Sequence, residues 1–279
     1  MVQNTIGQIK KEYQAAELQM LPDFIHIYKE DPRAGVIKLV KQAQGRLDKT
    51  EAERARLYQM GEYERQYAQY TYVCGIDEAG RGPLAGPVVA GAVILPKDCE
   101  ILYLNDSKQL SAKKREELYE MIQSQAVAYG IGLASWERID EINILQATYE
   151  AMREAINNLG VIPDILLNDA VTIPKVPIRQ LPIIKGDAKT VSIAAASILA
   201  KVTRDRMMDE YDSKYPGYGF ASNKGYGSGA HIEAIKRLGP CEIHRKSFIT
   251  DFVSSIDRIC LKLCRISLCD VRVLISYLA

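Results

Sequence analysis

Tyr72-Val-Cys-Gly-Ile-Asp77-Glu78-Ala-Gly80-Arg81-Gly82-Pro83-Leu-Ala-Gly86-Pro87 sets a short run of strand-forming residues directly before two adjacent carboxylates and a turn punctuated by glycine and proline. The acids are therefore expected where a strand ends. Successive side chains of a strand point to opposite faces, so Asp77 and Glu78 serve one site only if Glu78 has already left the pleat, which Gly80 and Gly82 make easy. Two carboxylates followed by exposed backbone amides and Arg81 suit a hard divalent cation together with a phosphate. Taken alone, the same residues are equally compatible with turn chemistry on a solvated surface. The spacing Gly80-x-Gly82-x-x-x-Gly86 also invites a dinucleotide-binding turn, and with it a nicotinamide-dependent oxidoreductase. Against this, Pro83 stands where such a turn opens a helix with free amides, and two acids just upstream repel a pyrophosphate.

Downstream, Val88-Val-Ala-Gly-Ala-Val-Ile-Leu95 predicts a buried strand, Ser111 an N-capped helix to about residue 123, and Ala126-Val-Ala-Tyr-Gly-Ile-Gly-Leu-Ala134 a third strand. A helix is predicted over 137–159, closed by Gly160. Pro163-Asp-Ile-Leu-Leu-Asn168-Asp169 and Pro182-Ile-Ile-Lys185-Gly186-Asp187 repeat the opening pattern, an apolar strand that ends in an acid. Ligands collect at the carboxyl ends of parallel strands in open α/β sheets. The longest helix is expected to start at Ala188 and run past Arg206, its Ala and Ser residues lying close against the sheet. Ser197 and Lys201 stand four apart in it, the spacing of a Ser/Lys dyad, with no second signature to support one. Ser228 is expected to cap a short helix ended by Gly239-Pro240.

Upstream, residues 1–70 carry apolar residues at helical spacing and no strand-like runs, which predicts a separate helical extension. Its helices are expected over 5–20, from the Asp31-Pro32 start through Gly45, and over 50–70 from the capping-box pattern Thr50-Glu-Ala-Glu53. Composition fits a globular chain, with 47% hydrophobic and 25% charged residues and no apolar run of membrane-spanning length. The N-terminal residues lack the apolar centre of a secretory signal, so a cytoplasmic protein with no membrane association is expected. The six cysteines form no C-x-x-C pair and no zinc spacing, which points to reduced thiols. A net charge of +1 neither requires nor excludes a nucleic-acid ligand, because local patches decide that.

Four carboxylates, Asp77, Glu78, Asp169 and Asp187, delivered to one sheet edge repel each other unless something cationic offsets them. Two magnesium or manganese ions ~4 Å apart meet that need and need no histidine. Asp77-Glu-Ala-Gly-Arg-Gly-Pro-Leu-Ala-Gly-Pro87, Asn105-Asp-Ser-Lys108, Asn168-Asp-Ala170, Lys185-Gly-Asp187, Ser192-Ile-Ala-Ala-Ala-Ser-Ile-Leu-Ala-Lys201, Lys224-Gly-Tyr-Gly227 and His244-Arg-Lys-Ser-Phe248 follow one another in an order that resembles bacterial ribonuclease HII, the type 2 ribonuclease H. The resemblance spans residues 71–248. It implies a ribonuclease H-like α/β fold, a mixed five-stranded sheet flanked by helices. It also implies a metal-dependent endonuclease acting on RNA-DNA hybrid and on duplex DNA with an embedded ribonucleotide, leaving 3′-hydroxyl and 5′-phosphate ends, with no obligatory protein partner.

Carried over residue by residue, the resemblance makes Asp77, Glu78 and Asp169 metal ligands and Asp187 the fourth active-site acid. It makes Gly80, Arg81 and Gly82 the turn that contacts the ribose 2′-hydroxyl, and Tyr226 the aromatic that stacks on the sugar following the ribonucleotide. Lys185 and Lys224 lead the cations expected to meet phosphate, a set that includes Lys108, Arg115, Lys201, Arg204 and Arg245. His231 and His244 are expected to be structural. A noncatalytic duplex-binding protein is the rival with the same ligand. Residues 249–279 depart from the family pattern and are compatible with a docked helix, a partner-binding helix or the product of a late reading-frame change.

Overall fold

The computed structural model describes residues 4–250, so the predicted tail beyond them lies outside the described residues. The chain forms two compact units, Met1–Glu62 and Tyr63–Ala279. In the first, α1 (Ile6–Ala15) starts from a reciprocal capping box in which the Thr5 hydroxyl accepts from the Gln8 amide and Gln8 Oε1 accepts from the Thr5 amide. It stops at Ala15, short of the predicted residue 20, and a second helix, α2 (Leu21–Tyr28), follows with proline in its first turn.

Asp31 does not cap a helix at Pro32. Its carboxylate holds the amide and guanidinium of Arg33, and α3 (Ala34–Met60) begins only afterwards. The predicted break and restart near Thr50 is also absent. α3 runs unbroken for 27 residues, longer than the 24-residue helix that follows Asp187. Thr50 is buried within it and donates to the Arg46 carbonyl, while Glu53 binds Arg56 instead of reaching back as a cap. An interior glycine such as Gly45 costs only ~1 kcal/mol. Burial of Val36, Leu39 and Ala43 against Ile9, Leu21, Phe24 and Tyr28 outweighs it.

After α4 (Glu62–Gln66), whose first residue closes the first unit, the second contains, in order, β1 (Val73–Ala79), β2 (Val88–Ile94), α5 (Ala112–Gln125), β3 (Ala128–Ala134), α6 (Trp136–Ile142), α7 (Ile144–Asn157), β4 (Ile165–Asp169), β5 (Arg179–Ile183), α8 (Val191–Lys214), α9 (Phe220–Asn223) and α10 (Gly229–Leu238). Contacts divide the chain at 62/63, ahead of residue 70, because Tyr63 and Tyr67 pack with Leu167, Ile183 and Ile193 and belong to the second core. The sheet has five strands in the order β3-β2-β1-β4-β5, antiparallel from β3 to β1 and parallel from β1 to β5. No helix of the described residues is long and apolar enough to cross a membrane.

Alternation along β1 sorts its side chains between two covers. Cys74 and Ile76 join the core formed with Ala147, Ala151 and Met152 of α7, whereas Gly75 lies under the backbone of Ser192 and Ile193, 2.1 Å from where a Cβ would sit. Helix α8 can approach this closely because the residues it sets over the sheet glycines are small, with Ser192 against Gly75 and Ala196 against Gly91.

Two predicted boundaries move. The helix predicted over 137–159 is two helices, broken at Asn143, whose positive φ of 69° and side-chain carbonyl accepting from the Leu145 and Gln146 amides make it the cap of α7. Strand β5 starts at Arg179, and Pro182 is tolerated in it because β5 is an edge. A left-handed Lys185 and the short turn Gly186–Ala188 then lead to Thr190, which caps α8 through the Ile193 amide.

Candidate active site

Strand β1 does not end at its acids as the sequence pattern suggested. Asp77 and Glu78 remain paired across the sheet with Gly91 and Ala90 of β2, and the strand continues to Ala79. What ends is the ladder on the other side, whose last parallel pair is Ile76 with Asn168. Beyond it the β4-facing edge of β1 is open. Both acids can therefore interact with Asp169, the last residue of β4, although they leave β1 on opposite faces.

Asp77 is 5% exposed and accepts from the Glu78 amide, and Ser197 of α8 hydrogen-bonds its carboxylate. Burial, then the negative charges of Glu78 and Asp169, push its pKa well above the usual range. Burial also raises Glu78, and Asp169 adds to that, while Arg81 at 3.2 Å from Glu78 Oε1 opposes it. Asp169 Oδ1 accepts from the Gly186 amide at 2.7 Å, which ties the end of β4 to the turn that carries Asp187. Asp187 is raised by burial and by its neighbours Asp106 and Asp169. Asp77, Glu78 and Asp187 therefore each feel the charge of Asp169 at this end of the sheet.

The glycine turn after β1 is clamped from beneath by two buried arginines. Arg245 donates to the carbonyls of Gly80, Arg81 and Gly86, and Arg204 to those of Pro87, Ala85 and Lys224. They are 0% and 1% exposed, so the expectation that they meet phosphate is overturned: they serve backbone carbonyls that the turn cannot satisfy for itself. Burial pushes their pKa values down to about 9 and about 10, which leaves both charged at neutral pH. Gly80 takes φ +92°, and a Cβ there would lie 2.1 Å from Arg204 Nε. Gly82 faces outward, with Tyr226 Cε1 3.7 Å from the position of a Cβ. The Tyr226 ring is 46% exposed.

This turn runs into an antiparallel strand, not a helix, which removes the dinucleotide-binding alternative. Residues 74–251 match the family described as ribonuclease HII, and residues 5–68 match the ribonuclease HII N-terminal domain. The chain belongs to the ribonuclease HII family. It is thus a ribonuclease H, a metal-dependent endonuclease that hydrolyses RNA in RNA-DNA hybrids. The ribonuclease HII of Lachnoclostridium phytofermentans is 68% identical over 227 residues, covering 81% of this chain and 89% of that one. That of Bacillus subtilis is 51% identical over 246 residues, 88% and 96% of the two chains. The crystal structure of the ribonuclease H2 from Pyrococcus horikoshii OT3 is similar with a TM-score of 0.57 at 31% identity, over 67% of this chain and 98% of that one.

The donors of this ribonuclease HII fit a hard divalent cation. They are all carboxylate oxygens, and Glu78 Oε2 is buried without a hydrogen-bond partner, an arrangement that favours a cation as its neighbour. Among the described residues, no three His, Cys, Asp or Glu side chains already form a closed metal cage. Asp169 is the neighbour that Asp77, Glu78 and Asp187 have in common.

Of the predicted cations, Lys185 is exposed beside the Asp187 turn with φ 57°. The Lys224 ammonium is held by the Asp209 carboxylate and the Asp205 carbonyl. Lys201 pairs with Asp205 at 2.7 Å, while Ser197 bonds Ser107 and Asp77, so no Ser/Lys dyad forms. Arg115 donates to the carbonyls of Ser107 and Leu110.

Asp106, Ser107 and Ser197 belong to the site, but the sequence reading gave the first two no role and weighed Ser197 only as a packing residue or half of a Ser/Lys dyad. Asp106 accepts from the Lys108 amide and adds a fifth negative charge. Burial works against the Lys108 charge, yet Asp106, Asp187, Asp77 and Asp169 outweigh it and raise its pKa. The Asn105-Asp-Ser-Lys108 motif was the available signal. Nothing local in it says that its loop folds back onto β1.

Proposed function

We propose that this ribonuclease HII cleaves on the 5′ side of a single ribonucleotide embedded in duplex DNA, as well as within hybrid duplexes, leaving 3′-hydroxyl and 5′-phosphate ends. The observation that carries this reading is the adjacency of Gly82 to the exposed ring of Tyr226, next to the acids of β1. A backbone turn without side-chain bulk can approach a ribose 2′-hydroxyl, the group that separates RNA from DNA. A flat ring beside it offers a surface for the next sugar, and favours one that lacks that hydroxyl. The two together read a junction between ribonucleotide and deoxyribonucleotide.

Asp77, Glu78, Asp169 and Asp187 would hold the cations, magnesium or manganese, which when bound lower the pKa of a water and offset charge on the phosphodiester. Ser197 keeps the Asp77 carboxylate oriented, and the Gly186 amide does the same for Asp169. Arg245 and Arg204 engage the carbonyls of the glycine turn, and the Leu84 and Gly86 amides donate to the Gly225 and Ile243 carbonyls, so the amides that can face a phosphate or sugar oxygen are those at the Arg81-Gly82 tip. Lys185 supplies an exposed charge for the phosphate backbone. Cys74, Cys99 and Cys241 are free thiols, in keeping with a role in the reducing cytoplasm.

An end-labelled duplex carrying one ribonucleotide, incubated with the full chain and magnesium or manganese, tests the reading. Cleavage 5′ of that ribonucleotide, abolished by chelator, is the expected result. Cleavage of continuous hybrid with no incision at the isolated ribonucleotide would overturn it.

A further inference from the structure

Tyr226 is attached to a buried pair of imidazoles. Its carbonyl accepts from His231 Nδ1 at 2.8 Å, His231 Nε2 lies 3.1 Å from His244 Nε2, and His244 Nδ1 accepts from the Cys241 amide at 2.9 Å. The two histidines are 0% and 2% exposed and pack against Tyr218 and Phe220. Burial lowers the pKa of both, His244 to about 4, so both are neutral near pH 7.

In the neutral pair every proton can be assigned from its neighbours. A carbonyl oxygen only accepts, so His231 carries its proton on Nδ1 and its Nε2 is a bare lone pair. His244 must then donate from Nε2, which leaves its Nδ1 bare to accept from the Cys241 amide. At the Cys241 end the amide at 2.9 Å is nearer to His244 Nδ1 than the carbonyl at 3.3 Å, and the thiol at 3.1 Å can donate too, which agrees with a bare Nδ1. The pair links the turn at Cys241 and His244 to the loop that carries the exposed ring, and that loop has two consecutive residues with positive φ, Lys224 and Gly225, just before Tyr226.

We propose that His231 is a positioning residue for Tyr226, and that His244 acts through it by fixing the tautomer in which His231 can hold the Tyr226 carbonyl. This rests on the reading of Tyr226 as the ring that meets the substrate sugar. The imidazole pair sets the height of the ring over Gly82, so the loop does not have to hold it alone. His231 touches no substrate and takes no part in the chemistry.

The chain has three histidines, so selective ¹⁵N-histidine labelling of the full protein gives a three-ring spectrum in which tautomers can be assigned directly. The expected result is a protonated Nδ1 on His231 and a protonated Nε2 on His244. A proton on His231 Nε2 instead would overturn the assignment. Kinetics then test the consequence on a duplex with one ribonucleotide, with melting temperatures measured for each variant. His231→Phe keeps a buried ring and loses both nitrogens; it should lower kcat/KM by on the order of tenfold. His231→Asn, which returns a donor near the Nδ1 position, should recover most of that loss. In a Tyr226→Ala background His231→Phe should cost less than about twofold, because the ring it positions is gone. An equal loss in both backgrounds, or no recovery with Asn at matched stability, would overturn positioning in favour of a merely structural role. If Tyr226→Ala itself cleaved like the unmodified enzyme, the reading of Tyr226 would fall and take the positioning role with it. The spectrum would still report the proton assignment separately.

Discussion

Arg245 Nη2 donates to the carbonyl of Gly80 at 2.6 Å from a side chain with no solvent exposure. The same guanidinium also holds Arg81 and Gly86, so one planar fork spans both ends of the glycine turn. A lysine has a single point of charge and cannot reach three carbonyls set in that geometry. Arg245→Lys should therefore leave buried carbonyls unpaired and destabilise the catalytic unit by about 2–4 kcal/mol. Denaturant unfolding gives the number, and a change below about 0.5 kcal/mol would show that the clamp contributes nothing.

Asp77→Asn and Asp169→Asn should each abolish most turnover. A carboxamide is a poor ligand for a hard cation, and losing several kcal/mol of charge stabilisation corresponds to a ~10³-fold or greater fall in rate. The two differ in stability. Asp77 is buried among like charges, so removing its charge relieves repulsion and should leave the melting temperature unchanged or higher. Asp169 accepts the Gly186 amide, a bond that an amide oxygen can keep. Cleavage assays and thermal melts on the same preparations check both halves, and near-normal cleavage by either variant would remove that residue from the mechanism.

Stability should depend on pH in two opposing ways. Asp77, Glu78 and Asp187 have raised pKa values in the fold, so above the ordinary carboxylate value of about 4 the folded chain binds more protons than the unfolded one and loses stability as pH rises. His244 acts with the other sign. Its folded pKa is about 4 against an ordinary value near 6.5, so it costs stability as pH falls through that window. Divalent cations compete with protons for the carboxylates alone. The gain in melting temperature from magnesium or manganese should therefore be several degrees larger at pH 8 than at pH 5. A gain that does not vary with pH would separate metal binding from these acids.

Much of this was legible in the sequence where a signal is local. Ser111 and Ser228 precede helices and cap them, and Asp169 and Asp187 follow apolar runs and arrive beside each other, whereas α8 starts at Val191 behind its cap Thr190 and not at the expected Ala188. Long-range partners were not legible. Arg204 and Arg245 look in the sequence like any other cations, and only the crossing of α8 and the C-terminal turn beneath residues 80–87 shows that they bind carbonyls. Thr50-Glu-Ala-Glu53 has the form of a cap, yet tertiary burial carried the helix straight through it. The position of β1 was right and its end was not, because the break that matters lies in the ladder with β4 and not in β1 itself.

Gly80 and Gly82 should fail in different ways when replaced. At Gly80 the backbone has φ +92° and a methyl group would strike Arg204 Nε at 2.1 Å, so Gly80→Ala combines backbone strain with a clash against a buried guanidinium and should cost about 2–4 kcal/mol of stability. At Gly82 the nearest atom is Tyr226 Cε1 at 3.7 Å, an ordinary contact, so Gly82→Ala should fold with a melting temperature close to that of the unmodified enzyme. Its methyl group nevertheless stands in the approach to the ribose, and kcat/KM on a duplex with one ribonucleotide should fall by about tenfold or more. Melting temperature and kcat/KM measured on both variants separate the two. A Gly82→Ala enzyme with unchanged kinetics would mean that the turn does not approach the substrate at this residue, and the adjacency of Gly82 to Tyr226 would then carry no specificity.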